Sequence, residues 1–400
     1  MSDGASPILP PATLGVMGGG QLGRFFVRAA QDLGYPAWVL DPDPDSPAGR
    51  VADRHLVAPY DDHRALDELA AGCAAVTTEF ENVPTESMAH LARRTRVRPG
   101  PDAVAISQDR SREKAFLNDN GFATAPWVPI DDPSALAEIP APLFPAVLKT
   151  ARDGYDGKGQ VRVRDLAEAR RAHESLDSRP CVLERLLPLA GEVAVVLARD
   201  DRGAIESFDA VRTVHVDGIL ARASLGDVEP QLSSRARAIA SGVAEALSYV
   251  GVLAVELFVV DGELLVNELA PRPHNSGHLT LDADDVDQFD LQVRTLCGLP
   301  LVAPIPHGDA VMVNLLGDLW LPADGEQEPP WPDLLAVPGL ALHLYGKTTP
   351  RRGRKMGHFT LVGASASDLH RRADEAFALL AARVTPAGAD SPAQPPTAVT

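Results

Sequence analysis

The chain has 400 residues, 45% of them hydrophobic, and 37 basic against 55 acidic side chains leave a net charge of −18. That much apolar material fills several cores and predicts two to four domains at ~150 residues each, while the acidic balance excludes general binding to nucleic acid or anionic membrane and leaves room only for a local basic site. Cys73, Cys181 and Cys297 are far apart and form no metal-spaced pair, which predicts a reducing cytosol without disulfides; the first residues lack a secretion-signal pattern and no apolar run approaches ~18 residues, so no membrane span is expected.

Residues 1–11 read as a loose leader. An apolar strand over 13–17 enters the glycine turn GGGQLGR at 18–24, a helix is predicted over 25–33 with Gly34 as its stop, and a second strand over 37–40 ends in Asp41. Gly18, Gly20 and Gly23 match G-x-G-x-x-G with Asp41 near the place of a ribose-binding acid, so taken alone this βαβ opening suggests a dinucleotide site, or else a bare strand–helix turn. A strand over 74–78 runs into EFENVP at 79–84; Glu79 and Asn82 would face a ligand at the carboxyl end of a parallel sheet, or Asn82 would only shape the turn before Pro84. One helix is predicted over 107–120, where Arg110 and Lys114 at i, i+4 read, on spacing alone, as a solvated basic face.

A strand over 146–149 ends in Lys149 and is followed by ARDGYDGKGQ at 151–160. Gly154, Gly157 and Gly159 free backbone amides for phosphate oxygens, and Lys149 and Lys158 add charge; the spacing is not that of a Walker loop, and glycine count alone gives a flexible hairpin. CVLE at 181–184 is a strand, 193–198 and 204–209 pair antiparallel, His215 taken alone is structural, and an amphipathic helix over 234–249 ends at Gly251. After residue 270, a proline-interrupted loop presents Arg272, His274, Asn275, Ser276 and His278. A helix is predicted over 282–297, a proline-rich boundary over 300–306, and a last domain with strands at 311–315, 340–345 and 358–362. Within it, Lys347, Arg351, Arg352, Arg354 and Lys355 crowd one loop of an acidic protein, which reads as an anion site or as a solubilising loop. Residues 385–400 have the composition of a disordered tail.

The chain is organised around VELFVVDGELLVNELAPRPHNSGH at 255–278. Two apolar runs around Asp261-Gly262 predict a hairpin that carries one acid per strand, Glu256 and Glu268. A buried carboxylate costs roughly several kcal/mol unless it is paired or holds a metal, and two such acids plus an amide oxygen suit a hard cation such as magnesium. Because 256 and 268 are an even number apart, a two-residue loop would put them on opposite faces; a three-residue loop, Val260-Asp261-Gly262 with Gly262 left-handed, is therefore expected. The alternative is a plain hairpin with one acid paired to Arg272.

In this order, GGGQLGR at 18–24, EFENVP at 79–84, GYDGKGQ at 154–160, NELAPRPHNSGH at 267–278 and GRKMGH at 353–358 resemble the ATP-grasp family of 5-(carboxyamino)imidazole ribonucleotide synthetases of purine biosynthesis, over residues 12 to 384. The resemblance implies an α/β fold with α+β elements: a Rossmann-like pre-ATP-grasp domain at 12–106, an ATP-grasp domain at 107–305 with a flap subdomain near 123–190, a small β-rich C-terminal domain at 306–384, and the tail at 385–400. It implies ATP contacts from Arg110, Lys149, the loop Gly154, Tyr155, Asp156, Gly157, Lys158, Gly159 and Gln160, then Glu184, Arg185, Leu186, Leu187, Glu192, His215, Asn267 and Glu268. Magnesium, or manganese, would sit on Glu256 and Glu268. Gln21, Leu22, Glu79, Asn82, Tyr155, Arg272, His274, Asn275, Lys347, Arg354 and Lys355 would serve the ribonucleotide, with Lys149, Tyr155 and Arg272 as the catalytic group. Two departures stand out: Asp153 replaces a glycine usual in the family, and Arg352 a frequent proline.

The implied reaction joins bicarbonate to 5-aminoimidazole ribonucleotide through carboxyphosphate, with ATP split to ADP and phosphate, in a cytoplasmic homodimer. Another ATP-grasp carboxylate–amine ligase, such as a formate-dependent transformylase, is the nearest rival. A nicotinamide-dependent dehydrogenase, built on residues 18–23 and Asp41, leaves the glycine loop and the acid hairpin unexplained, and the presence of both acids argues against a non-catalytic nucleotide sensor.

Overall fold

The computed structural model describes residues 6–154, 157–322 and 325–381. Tyr155 and Asp156 of the glycine loop, the first five residues and the tail expected at 385–400 lie outside the described residues. The first layer runs β1 (Leu14–Met17), α1 (Gln21–Asp32), β2 (Ala37–Leu40), β3 (Arg54–Leu56), α2 (His63–Gly72), β4 (Ala75–Thr78), α3 (Thr85–Ala92) and β5 (Arg96–Val97). Its strands form a parallel sheet in the order β3-β2-β1-β4-β5. β1 and β4 are buried along their whole length, as strands covered on both faces must be. The first helix starts at Gln21, earlier than expected, because the glycine turn feeds it directly, and it buries Leu22, Phe25, Phe26, Val27 and Ala30. The leader is not loose from residue 6 onward: Ile8 donates its amide to the Cys297 carbonyl at 2.8 Å and accepts the Tyr35 hydroxyl at 2.8 Å, and its side chain packs on the same core.

The helix expected over 107–120 is α5 (Arg110–Asp119), which starts a little later because the Asp109 carboxylate caps it by accepting the amides of Ser111 and Arg112; a separate helix not expected from the sequence, α4 (Pro101–Ser107), precedes it. A small antiparallel unit follows: β6 (Trp127–Ile130), β7 (Ala146–Thr150), β8 (Gln160–Val163), α6 (Leu166–Ser175) and β9 (Cys181–Arg185), with sheet order β6-β9-β7-β8. The glycine loop is the connection between β7 and β8.

The large sheet takes β10 (Gly191–Arg199), β11 (Ile205–Ser207), β12 (Val211–Val216), β13 (Ile219–Leu225), then α7 (Pro230–Ala246), β14 (Gly251–Val260) and β15 (Glu263–Ala270). α7 opens earlier than expected, at Pro230, and is closed by Ser248 at φ +48° rather than by Gly251, which already begins β14. The helix expected over 282–297 is broken into α8 (Thr280–Ala283) and α9 (Gln288–Cys297), the second capped by Asp287. The chain closes with β16 (Asp309–Leu316), α10 (Trp331–Leu335), β17 (Leu340–Leu344), β18 (Lys355–Gly363) and α11 (Ala366–Ala381).

The hairpin between β14 and β15 corrects the expected loop. Val260 faces Glu263 across a two-residue turn, with Asp261 and Gly262 at φ +50° and +79°. That register would separate the two acids. It shifts by one residue between Glu256 and Leu257: Leu257 faces Val266, whereas Glu256 faces Glu268, and Asn267 is the extra residue of a β-bulge. Both carboxylates therefore reach one face by a bulge inside the strand, not by a longer loop.

The large sheet runs β15-β14-β10-β12-β13-β16-β18-β17, with β11 attached to β10. The proline-rich stretch at 300–306 thus separates no sheet, since β16 pairs directly with β13. Phe25 of α1 meets Phe289, His278, His343 and Tyr345 at ring-centroid distances of 5.1 to 5.9 Å, so the N-terminal layer is packed on both the middle and the end of the chain. A chain ended at residue 305 should accordingly expose the β13 edge and the buried Arg222 and aggregate on size-exclusion chromatography; a monodisperse fragment would show the last strands to be a separate unit.

Candidate functional site

A cavity of 570 Å³ lies between the small sheet and the large one. β7 contributes Lys149, the glycine loop Gly154, Gly157, Lys158, Gly159 and Gln160, α5 Arg110, and the start of β10 Glu192. β12 adds His215, the acid hairpin Glu256, Asn267 and Glu268, the loop after it His274, and β18 Lys355. The β9–β10 connection supplies Leu186 and Leu189, both more than a third exposed, which with Val147 and Phe258 form an apolar wall.

At its polar end, Glu268 accepts Arg110 Nη1 at 2.9 Å, and Glu256 accepts Asn267 Nδ2 at 3.3 Å with His274 Nε2 at 3.4 Å. Burial and then the neighbouring Glu268 push the Glu256 carboxyl up to about 7. Burial works the same way on Glu268, but Arg110, with Lys149 and Arg272 further off, holds it below the ordinary carboxylate range. The pair's first negative charge therefore settles on Glu268. Asn267 Oδ1 is buried without a hydrogen-bond partner among the described residues. Two opposed carboxylates and an unpartnered amide oxygen are a donor set that fits a hard divalent cation.

His274 receives the Ser276 amide on Nδ1 at 3.3 Å, so the proton of its neutral ring sits on Nε2, towards Glu256. Burial, Arg272 and Lys355 keep it neutral by drawing its pKa well below the usual histidine value. His215, 2.9 Å from Glu192, shows the opposite balance: burial disfavours its cation, yet Glu192 and Glu256 raise its pKa above the ordinary value, so it is no isolated structural residue.

Behind the wall, Glu184 is pinned between Lys149 at 3.0 Å and Lys114 at 3.3 Å. Lys114 is fully buried and Arg110 is paired, so their face of α5 is not solvated but turned into the site. Spacing could not reveal this, because the acids they meet come from β9 and β15. Burial lowers the Lys149 pKa against the pull of Glu184.

Not every expected residue lines the cavity. Arg185 is exposed, Leu187 half-buried, and Asn275 forms a buried reciprocal amide pair with Asn314 at 3.1 and 2.6 Å. Arg272 pairs with Glu81 at 2.6 Å and, with Asn82, borders a smaller cavity that shares Arg110, Gly154 and Glu268 with the first. Asp153 holds φ +62°, a conformation that explains the family's glycine there. The glycine turn is closed by the chain itself: Glu79 accepts the amides of Gly20 and Gly23 at 2.5 and 2.8 Å, and Asp41 those of Gly19 at 2.6 Å and the Tyr60 hydroxyl at 2.5 Å. A dinucleotide-binding Asp41 is thereby corrected; its oxygens are spent on the turn. Leu22 packs its side chain in the core, while Gln21 is half-buried at the helix start. Lys347 acts on Glu79 and Arg354 on Asp43, which sets the basic loop against the N-terminal layer. Sequence reading named Lys114 only as part of a solvated face and missed Glu113, Leu189, Asp217 and Gly218.

Asp282, His343 and His358 also bring potential metal-ligating atoms together. The two imidazoles stack at 4.7 Å and 22°, so their nitrogens run in near-parallel planes instead of converging on one ion.

Glu113 accepts the Leu269 amide at 3.2 Å, and its Oε1 has no partner among the described residues. Burial and Glu268 push its carboxyl up to about 8. A folded value raised above the unfolded ~4.3 gives stability that is full below the unfolded value and declines as pH rises towards 8. Glu113→Gln should therefore gain thermal stability relative to the parent between pH 5 and pH 8.5, at roughly 1 °C per kcal/mol of linkage for a chain of this length. Scanning fluorimetry of the ligand-free protein checks it, and a pH-independent gap would be the contrary result.

Residues 11–108 match the ribonucleotide synthetase pre-ATP-grasp domain, 115–289 the ATP-grasp domain and 310–372 the phosphoribosylaminoimidazole carboxylase C-terminal domain. The chain is 45% identical over 358 residues to the N5-carboxyaminoimidazole ribonucleotide synthase of Brucella melitensis, covering 88% of this chain and 97% of that one. The solved ADP complex of an N5-carboxyaminoimidazole ribonucleotide synthetase superposes with a TM-score of 0.87 at 36% identity, over 96% of this chain and 100% of that one. The Aspergillus clavatus N5-carboxyaminoimidazole synthase in complex with ADP and 5-aminoimidazole ribonucleotide gives 0.84 at 28% identity, over 92% and 98%. From its pre-ATP-grasp layer to its C-terminal strands, this chain belongs to the N5-carboxyaminoimidazole ribonucleotide synthase family.

Proposed function

We propose that the protein carboxylates 5-aminoimidazole ribonucleotide with bicarbonate at the expense of ATP, giving N5-carboxyaminoimidazole ribonucleotide, ADP and phosphate. The observation that carries this reading is the bulge-aligned pair Glu256 and Glu268, set in a cavity whose other walls hold Lys149, the glycine loop, His274 and Lys355. The relatives support it by what they are named for and by the ADP and ribonucleotide found in the Aspergillus clavatus complex.

In this reading the apolar wall of Leu186, Leu189, Val147 and Phe258 receives the adenine, and Glu192 with His215 the ribose. Lys149, held in place by Glu184, and the amides of the glycine loop meet the phosphates. Glu256, Glu268 and Asn267 Oδ1 would hold Mg2+, which supplies charge neutralisation on the transferring phosphoryl group. Bicarbonate attacks the γ-phosphorus, ADP departs, and carboxyphosphate forms. The ribonucleotide's exocyclic amine then takes the carboxyl group and phosphate leaves. The side chains have little covalent work: they fix positions and place charge where it develops. Neutral His274 can donate from Nε2 to an oxyanion near Glu256, and Arg272 approaches from the adjoining cavity. Lys347 and Arg354 face the N-terminal layer and would take the ribonucleotide's 5′-phosphate. A homodimer and a cytoplasmic setting enter from the family resemblance alone.

ADP release that depends on both bicarbonate and 5-aminoimidazole ribonucleotide, with no nicotinamide turnover, is the direct test; ADP release indifferent to the ribonucleotide would overturn the assignment. Glu268→Gln keeps shape but removes the charge that settles there. Its kcat should fall by ~10- to 100-fold or more with an unchanged circular dichroism spectrum, and parental turnover at ordinary magnesium would remove the metal assignment. Arg354→Ala should raise KM for the ribonucleotide by about 10- to 100-fold and leave KM for ATP nearly unchanged. The reverse pattern in steady-state kinetics would move the basic loop to the nucleotide side.

A further inference from the structure

Two turns in this chain share one backbone. Asp217 and Gly218 join β12 to β13 at φ +51° and +79°; Asp261 and Gly262 join β14 to β15 at +50° and +79°. Their surroundings differ. A Cβ on Gly262 would meet nothing within 4 Å, whereas one on Gly218 would lie 2.5 Å from Gly157 Cα and 3.0 Å from both the Gly157 nitrogen and Gln160 Nε2. Approached from the other side, a Cβ on Gly157 would stand 2.5 Å from the Asp217 carbonyl oxygen. The glycine loop therefore rests backbone to backbone on the β12–β13 turn, a closeness that needs the absence of side chains on both partners. Asp217 and Gly218 also border the cavity, and the strand that leads into them carries His215, the partner of Glu192.

We propose that the Asp217–Gly218 turn is the seat on which the glycine loop closes, and that Gly218 is a positioning residue for phosphoryl transfer. The inference rests on reading the cavity as an ATP site. Carbon atoms in contact need ~3.5–4.0 Å, so a methyl group at Gly218 lifts the loop by roughly 1 Å, and a displacement of that size in a phosphate-holding loop costs about a hundredfold in rate. A loop that sits high also admits water, so carboxyphosphate is hydrolysed before the amine captures its carboxyl group. Gly218 thus links the depth of loop closure to the coupling of ATP cleavage with carboxylation.

The duplicate turn makes the test clean. Alanine at φ +79° strains either turn alike, but only Gly218→Ala touches the loop, so Gly262→Ala is its strain-matched control. Hydrogen–deuterium exchange of peptides covering 150–163 in the ligand-free protein should quicken about tenfold in Gly218→Ala and stay within about twofold of the parent in Gly262→Ala. Gly157→Ala, which leaves the hairpin intact, should quicken it as well and covers the case in which Gly218→Ala does not fold. With ATP, bicarbonate and ribonucleotide, Gly218→Ala should release several ADP per ribonucleotide carboxylated, against a ratio near one for the parent and for Gly262→Ala. Unchanged loop exchange in the folded Gly218 and Gly157 variants, or equal acceleration in Gly262→Ala, overturns the seat. Accelerated exchange with intact coupling overturns the positioning role. Should the parent form no ADP at all, the ATP reading fails, while the exchange data still decide whether the turn seats the loop.

Discussion

Two carboxylates, Glu256 and Glu268, directly opposed across neighbouring strands are the constraint on which the rest of the structure depends. Facing each other across one strand pair, both are charged only at high cost unless cations surround them. The chain supplies that surround from distant places: Arg110 from α5, Lys149 from the small sheet, His215 from β12, Arg272 from the following loop, and Lys355 from a strand almost a hundred residues later. Each of those elements has to dock on the large sheet for the acids to be tolerable. The continuity of that sheet from β15 to β17 follows from the same demand, because it brings Lys355 to the cavity edge on a rigid strand rather than a tether.

A second layer of charge explains why the first can be held still. Glu184 takes Lys114 on one side and Lys149 on the other, deep enough that all three are nearly free of water. Breaking such a buried group strands a charge, at a cost of roughly 3–5 kcal/mol, so the arrangement is specific even where its net stabilisation is small. It ties α5 to the small sheet and thereby fixes the wall from which the glycine loop springs. The loop is then anchored at its β7 end by a buried ion pair and meets the large sheet at Gly157, against the Asp217–Gly218 turn.

How much of this was legible in the sequence depends on how local the signal is. β1, β2 and β4 and the glycine stop at Gly34 were readable because buried strands and turn residues declare themselves within a few positions. The short helix α4 was missed, and so was the helix break before Asp287, although Asp287 is the acid that caps the next helix. The acid hairpin was inferred with the right consequence and the wrong cause: the requirement that Glu256 and Glu268 share a face was sound, but a bulge at Asn267 meets it as well as a longer loop does. No local rule locates a bulge, which depends on what the two strands must present. Lys114 and Glu113 were illegible for the same reason, being ordinary helix residues until β9 and β15 arrive beside them.

The glycine turn at 18–23 shows why a motif has to be weighed against its neighbours. Its amides are those that would bind a phosphate in a dinucleotide enzyme, at the positive end of α1. Here they are taken by Glu79, whose carboxyl is buried against them, while Asp41 is drawn inward by Gly19 and Tyr60. An acid filling an anion site leaves that site neutral and turns its remaining field outward, towards Lys347. The basic loop then has a reason to lie against the N-terminal layer: Lys347 acts on Glu79 and donates to the Lys355 carbonyl at 2.7 Å, while the Lys355 side chain reaches the cavity of the paired acids, so the loop joins the two ends of the site. A nicotinamide dinucleotide would meet carboxylates where its pyrophosphate must go, because the glycine-turn amides already belong to Glu79 and Asp41.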